Sequence, residues 1–278
     1  MSSTVNRVDT HLPLGVGSIN GDDPIPVCRV ASGVVSLDGL RQLGLLDGKT
    51  LPADAWRSPT LDPILAAGRA TWSQLRERLI TVANDPSTAD QIAAMSVELE
   101  SVRMVLPFTV ADYVDFYSSL HHATNVGRIF RPNGEPLLPN WRQLPVGYHG
   151  RSASVCVSGS EVHRPCGLRL TDGSTEFGPT AALDYELEVG FVVGVGNSGE
   201  PIPTTDFADH VFGVCLVNDW SARDIQSFEY QPLGPFLAKS FHTSISPWIT
   251  PLEAFESHRL EPPAPAVDLA QYLRSPDQ

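Results

Sequence analysis

The chain is poor in cysteine, with four thiols at Cys28, Cys156, Cys166 and Cys215 among 278 residues. No C-x-x-C pair or zinc-type spacing occurs, which argues against a zinc ribbon or a dithiol redox site. Thiols this sparse are expected to stay reduced, as in a cytosolic protein. Positive charge is scarce as well: 19 Lys and Arg against 32 Asp and Glu give a formal charge of -13. Phosphate backbones and anionic lipid surfaces need a basic stripe, so nucleic-acid and membrane-surface partners are not expected. No apolar run approaches the roughly 20 residues of a membrane span. The opening M-S-S-T-V-N-R-V-D-T lacks the apolar core of a signal peptide. Internal repeats and low-complexity tracts are absent too.

What the chain does have is 42% hydrophobic residues, 24 prolines and 22 glycines, the makeup of a folded, turn-rich and β-rich protein. Its length admits two domains or one large one. Residues 1–20 read as an irregular N-terminal arm. Residues 27–37 read as two short strands about a turn at Ser32-Gly33. Helical patterns follow over 65–80 and 89–102, the second with Ser87 or Thr88 as N-cap. This part ends near Pro107, carries no cluster of chemical residues, and reads as a small N-terminal domain. Beyond it, residues 111–124 are predicted helical and 147–251 strand-rich. Residues 183–195 alternate, with Leu183, Tyr185, Leu187 and Val189 against Asp184, Glu186 and Glu188. Residues 211–217 form a continuous apolar run, predicting a strand buried on both faces. The last stretch, 262–278, reads as a linker with one short turn.

Four carboxylates stand out in three segments: Asp115 in D-F-Y-S-S-L-H-H, Glu186 and Glu188 in D-Y-E-L-E, and Asp219 in N-D-W-S-A-R-D. Carboxylates in such settings repel one another and lose hydration unless a cation joins them. A hard divalent ion with oxygen ligands resolves that conflict. Strand periodicity puts Glu186 and Glu188 on one face, beside Asp184; the plainer alternative is the solvent face of an amphipathic strand. Asp219 ends the apolar run V-F-G-V-C-L-V-N, a usual place for a functional group. Its plainer alternative is the N-cap of the following S-A-R-D-I-Q-S.

Within a helix, Asp115 and His122 would share a face two turns apart. That would pair a metal-bound carboxylate with a general base that titrates near neutrality. His121 keeps the ordinary reading of a structural hydrogen-bonder. Arg223 and Gln226 share a helical face. Lys239, in G-P-F-L-A-K-S-F, has apolar and aromatic neighbours and fits stabilisation of an anion or enolate; the default is a surface lysine. Tyr117, Arg131, Tyr148 and Tyr230 are candidates for holding a substrate carboxylate or carbonyl. Together these parts fit cleavage or formation of an enolate, with a metal ion polarising a dicarbonyl and a base activating water.

Five stretches occur in order along the chain: D-F-Y-S-S-L-H-H-A-T-N-V-G, L-P-N-W-R-Q-L-P-V-G-Y-H-G-R, D-Y-E-L-E, N-D-W-S-A-R-D-I-Q and P-L-G-P-F-L-A-K-S-F. They closely resemble the fumarylacetoacetase family, continuously over residues 106–251 and more weakly towards the N-terminus. The resemblance implies a mixed, β-rich fold, with an SH3-like N-terminal domain over 1–107 and a mixed β-roll over 108–278, usually as a homodimer. It implies hydrolysis of 4-fumarylacetoacetate to fumarate and acetoacetate, the last step of tyrosine breakdown, in the cytoplasm. It implies Mg or Ca held by Asp115, Glu186, Glu188 and Asp219. Lys239 and Thr243 are then counted with the metal residues, Thr243 near a second, structural Mg. His122 matches the water-activating base. Arg223, Gln226 and Lys239 match the groups around the cleaved bond and the emerging carbanion. Tyr117, Arg131, Tyr148 and Tyr230 match substrate-binding positions. The pair Leu120-His121 departs from the polar pair common before the catalytic histidine, with little effect expected.

Family members continue past the point where this chain stops at Gln278. The further part supplies β-roll strands, the Glu that orients the catalytic histidine, and a Thr-containing substrate loop. Without them His122 is expected to weaken as a base, as when a triad orienter is removed. Apolar faces and strand edges are expected to be open, and the chain to be poorly stable and weakly active or inactive. One alternative is a related superfamily enzyme, a decarboxylase, tautomerase or hydratase acting on a small 2-oxo acid; P-V-G-Y-H-G-R and D-F-Y-S-S speak against it. Another is an inactive, truncated metal-binding remnant. A structural calcium-binding protein is more distant, because it leaves Lys239, Arg223 and His122 together unexplained.

Overall fold

The computed structural model describes residues 10–261 and 263–274. The fold is mixed and β-rich, as expected, and divides into two compact units. The first takes in residues up to 109 together with 154–202 and 206–258. The second takes in 110–153, 203–205 and the residues from 259 onward.

The first nine residues of the expected N-terminal arm lie outside the described residues. The rest of the arm is not irregular, because Leu14–Ile19 forms strand β1. Its pattern is masked by glycines that the packing requires: a Cβ on Gly15 would stand 2.6 Å from the Pro247 carbonyl oxygen. Strands β2 (Ile25–Val30) and β3 (Gly33–Ser36) make the hairpin expected over 27–37. Helix α1 (Leu37–Gln42) follows at once, capped by Ser36, whose Oγ accepts from Gly39 N at 2.9 Å. The helical pattern over 65–80 resolves into α2 (Asp62–Ala66) and α3 (Arg69–Asn84), interrupted at Gly68. Helix α4 (Ala89–Met95) is shorter than expected, and Val102 instead enters β4 (Val102–Met104). Thr88 precedes α4, yet its hydroxyl donates to the Val82 and Asp85 carbonyls rather than capping. The four strands form an antiparallel sheet in the order β3-β2-β1-β4.

The second unit corrects the helix expected over 111–124. Val114–Phe116 is strand β5, and helix α5 (Leu120–Phe130) begins only after Ser119, whose Oγ accepts from His122 N at 3.3 Å. Strand β6 (Gly147–His149) pairs antiparallel with β5. A three-residue strand is too short to carry a period of its own. The C-terminal stretch holds one 3-10 turn at Gln271–Leu273, as read from the sequence; residues 262 and 275–278 lie outside the described residues.

The rest of the first unit runs through β7 (Val155–Val157), the hairpin of β8 (Cys166–Thr171) and β9 (Ser174–Pro179), and β10 (Leu183–Asp184). Then come β11 (Leu187–Val193), α6 (Phe207–His210), β12 (Val211–Asp219), β13 (Ser221–Ala222) and α7 (Arg223–Glu229). Strands β14 (Thr243–Ile245) and β15 (Thr250–Pro251) follow, and a 3-10 helix over Leu252–His258 ends the unit. The central sheet has the order β11-β12-β14-β7, antiparallel except for the parallel β14–β7 pair, and β15 lies along β12.

One core joins the N-terminal elements to this sheet. Trp72 of α3 meets Phe212 of β12 edge-on, with ring centroids 5.4 Å apart, and Leu14 N donates to Ile249 O at 2.9 Å. Val192, Cys215, Val217 and Ile245 line the covered face of the sheet. Aliphatic burial of this kind contributes about 1.5–3 kcal/mol for each fully buried side chain.

The alternation over 183–195 has the expected period, and its apolar side is the more open one. Leu187 is 73% exposed and Val189 and Phe191 are also open, whereas Glu188 shares the covered face with Val192. Strand β12 is not buried on both faces either, because Leu216 is 60% exposed. Among the described residues no helix is long and apolar enough to cross a membrane.

Candidate active site

Strand β12 ends on Asp219, on the same face as Cys215 and Val217 and directly opposite Thr243 of β14. The Asp219 carboxylate is closed off from solvent. Its Oδ2 accepts from Lys239 Nζ at 2.9 Å and its Oδ1 from Thr243 Oγ1 at 2.9 Å. Helix α7 starts at Arg223 with Ala222 at its N-cap position, so Asp219 does not cap it. The neighbours of Asp219 fix the strand end. Asn218 Oδ1 accepts from Glu186 N at 3.1 Å, Asp219 N donates to Glu186 O at 3.1 Å, and Trp220 Nε1 donates to Ser244 Oγ at 3.1 Å.

Glu186 sits in the break between β10 and β11, and both its carboxylate oxygens are engaged. Oε1 meets Arg223 Nη1 at 2.6 Å, and Oε2 meets Lys239 Nζ at 2.6 Å. Glu188 offers a carboxylate oxygen within 4.8 Å of one on Asp219. The solvent-face reading of this pair of glutamates therefore fails, because local cations let the acidic side of the strand be the covered side.

Lys239 is 2% exposed, so the surface-lysine reading fails as well. A turn after α7 delivers it. Glu229 Oε1 accepts from Phe236 N at 2.9 Å and from Ala238 N at 2.7 Å, which pins that turn. Sequence reasoning misses Glu229, because its partners are backbone amides that leave no side-chain signature. Arg223 and Gln226 do share a face of α7, and Arg223 Nη1 donates to Gln226 Oε1 at 3.0 Å. Helix α7 lies close against β8: a Cβ on Gly167 would stand 2.6 Å from Ile225 Cγ2. Tyr230 follows α7, is exposed, and accepts from Gln231 Nε2 at 3.1 Å.

The remaining expected residues stand in the second unit. Asp115 of β5 pairs across the ladder with Tyr148 of β6. Asp115 and His122 do not share a helical face, since one lies on β5 and the other on α5. His122 is exposed and meets the Tyr117 ring edge-on, with centroids 6.0 Å apart. Tyr117 donates its hydroxyl to Ala123 O at 3.0 Å. Burial pushes the Tyr117 phenol up, with Arg131 opposing in part. Arg131 closes its own loop, donating from Nη2 to Pro136 O at 2.5 Å.

In the first unit the electrostatics are tightly balanced. Burial alone would raise the Glu186 carboxyl, but Lys239 and Arg223 outweigh it and hold it below its usual range. Asp184 behaves in the same way: burial raises it, and Arg223 together with the Tyr185 amide brings it down. Burial would lower the Arg223 guanidinium, and Glu186 with Asp184 raises it instead. Three carboxylates (Asp184, Glu186 and Asp219) meet two cations, Arg223 and Lys239, and Glu188 stands beside Asp219. Carboxylates outnumber cations among these side chains, and Glu188 with Asp219 presents an all-oxygen donor set at the end of a covered sheet face. That set fits a hard divalent ion.

The family described as "Fumarylacetoacetate (FAA) hydrolase C-terminal" matches residues 112–268, and "Fumarylacetoacetase N-terminal" matches 10–107. A fumarylacetoacetase of Arabidopsis thaliana is 43% identical over 263 residues, 91% of this chain and 62% of the relative. One of Bos taurus is 46% identical over 254 residues, 88% of this chain and 60% of the relative. The chain thus spans less than two thirds of the length of these curated relatives. The solved fumarylacetoacetate hydrolase of the psychrophilic Exiguobacterium antarcticum overlaps 88% of this chain and 68% of its own, at 16% identity and a TM-score of 0.46. With one family description matched over 112–268 and its N-terminal companion over 10–107, the chain belongs to the fumarylacetoacetate hydrolase family.

Proposed function

We propose that the chain hydrolyses the carbon–carbon bond of 4-fumarylacetoacetate, giving fumarate and acetoacetate, the last step of tyrosine and phenylalanine breakdown. The observation that carries this reading is the buried Lys239 ammonium between Glu186 and Asp219, with Arg223 on the same acidic cluster and Gln226 accepting from Arg223. A fixed cationic edge of this kind suits a reaction whose leaving group is a carbanion.

Asp115, Glu186, Glu188 and Asp219 would hold Mg or Ca, with Lys239 counted among the metal residues and Thr243 near a second, structural Mg. Such an ion supplies Lewis acidity toward a dicarbonyl. His122 takes a proton from water, and the resulting hydroxide adds to the carbonyl carbon on the fumaryl side. The carbon–carbon bond then breaks, and its electron pair passes to the acetoacetate carbon. Arg223, Gln226 and Lys239 stabilise that charge until the carbon takes up the proton that His122 removed from water. Tyr117, Arg131, Tyr148 and Tyr230 bind the substrate. The same reading assigns residues 1–107 to an SH3-like domain and 108–278 to a catalytic β-roll, in a cytoplasmic homodimer.

The test is loss of 4-fumarylacetoacetate by the purified chain in Mg, in Ca and in chelator, beside a panel of small 2-oxo acids. Metal-dependent loss with equimolar fumarate supports the reading. A folded, ion-loaded chain that leaves 4-fumarylacetoacetate intact, or turns over another 2-oxo acid instead, overturns it.

A further inference from the structure

Arg223 is held on three sides by the protein. Its Nε donates to Asp184 Oδ2 at 2.9 Å, and its Nη1 lies 2.6 Å from Glu186 Oε1 and 3.0 Å from Gln226 Oε1. Among the described residues, Nη2 has no acceptor. A guanidinium is planar, so fixing Nε and Nη1 also fixes where Nη2 points.

Asp184 is itself fixed. Its other oxygen accepts from Tyr185 N at 2.9 Å. Its backbone pairs with Ser221 in the β10–β13 ladder, and Arg223 N donates to Ala182 O at 2.9 Å. The segments that carry the two side chains are therefore hydrogen-bonded to each other, and the ion pair inherits their register. The pair is half open to water, with side-chain exposures of 47% for Asp184 and 30% for Arg223. An ion pair that open adds little stability, so its main consequence is geometric.

We propose that Asp184 is a positioning residue: it holds Arg223 so that Nη2 is the donor left for the negative charge of the substrate. The proposal rests on the hydrolase reading above and names the atom of Arg223 that serves it. A lysine at 223 could not reproduce this, because an ammonium has no second edge to fix.

Two measurements test it. The first needs no turnover. In the 15N-labelled chain, the Arg223 Nε–H resonance is assigned by its loss in Arg223→Ala. Removing its acceptor in Asp184→Ala is expected to speed its exchange with water about 10-fold or more. Asp184→Asn, which keeps an acceptor oxygen, is expected to fall between. The second is a kinetic cycle. Asp184→Ala is expected to lower kcat roughly 10- to 100-fold with little change in KM. It should have almost no further effect in the Arg223→Ala background, since the two act as one unit. Equal losses in both backgrounds, or a resonance as protected in Asp184→Ala as in the wild type, would overturn the proposal. If Asp184→Ala does not fold, Asp184→Asn carries both comparisons. A wild-type chain without turnover would sink the hydrolase reading, and the resonance comparison would still decide the role of Asp184.

Discussion

Lys239 Nζ stands 2.9 Å from Asp219 Oδ2, and the two side chains are 2% and 0% exposed. The same ammonium meets Glu186 at 2.6 Å. Removing one member of a buried ion pair leaves the other charge uncompensated, at a cost of about 3–5 kcal/mol. Lys239→Met is therefore expected to lower the urea midpoint strongly, and Asp219→Asn added to it to recover part of the loss. A single variant with a wild-type midpoint would mean that the carboxylates find another cation.

Binding of a divalent ion should register as stability. An ion present at 100 times its Kd adds about 2.7 kcal/mol to a folded state that alone binds it. Mg or Ca is expected to raise the melting temperature and chelator to reverse the rise. Glu188→Gln and Asp219→Asn should each weaken binding by calorimetry. A melting curve indifferent to both ions would count against the acidic cluster as a metal site.

Asp224 gives a pH dependence whose sign can be worked out. Burial would raise its carboxyl, but bonds from Thr180 Oγ1 and from the Ala181 and Ile225 amides outweigh burial and hold it below its ordinary 3.8. A carboxyl lowered in the folded state stabilises it fully above the unfolded value, and that share is lost as pH falls through the folded one. Asp224→Asn should therefore be less stable than wild type near neutrality, with the gap closing below pH 3.8. Urea midpoints of both chains across that range measure it; a gap that stays constant with pH would refute the assignment.

Thiol reactivity should follow burial. Burial pushes Cys215 up to about 11, while Cys166 is exposed on β8. The thiolate is the reactive form, so iodoacetamide at neutral pH is expected to label Cys166 first. Cys28 and Cys215, both buried, should react only after denaturation. Peptide mapping that finds Cys215 labelled as fast as Cys166 would contradict the packing of β12.

The sequence shows most plainly what is local. The hairpin of β2 and β3 is visible in its turn residues, and Arg223 with Gln226 in their helical spacing. The alternation around Glu186 and Glu188 tells which residues share a face. It does not tell which face is covered, and here Arg223 and Lys239, distant in sequence, decide that. Asp115 is harder to read, because a strand as short as Val114–Phe116 is defined by its partner Gly147–His149 and not by its own pattern. The segment Leu14–Ile19 hides for another reason: its glycines serve close packing and break the apolar rhythm.

The pairing of β11 with β12 has a consequence for how the sheet forms. A slip of one residue would turn Glu188 to the open side and bring Leu187 or Val189 toward Asp219. Such a slip would also shift Glu186, whose carbonyl accepts from Asp219 N just before β11, and pull its carboxylate away from Lys239 and Arg223, while Lys239 kept Asp219. Misaligned sheets are thus penalised by charge as well as by shape. The ionic cluster acts as a checksum on strand alignment, and the groups that prepare the site for chemistry also proofread the sheet as it assembles.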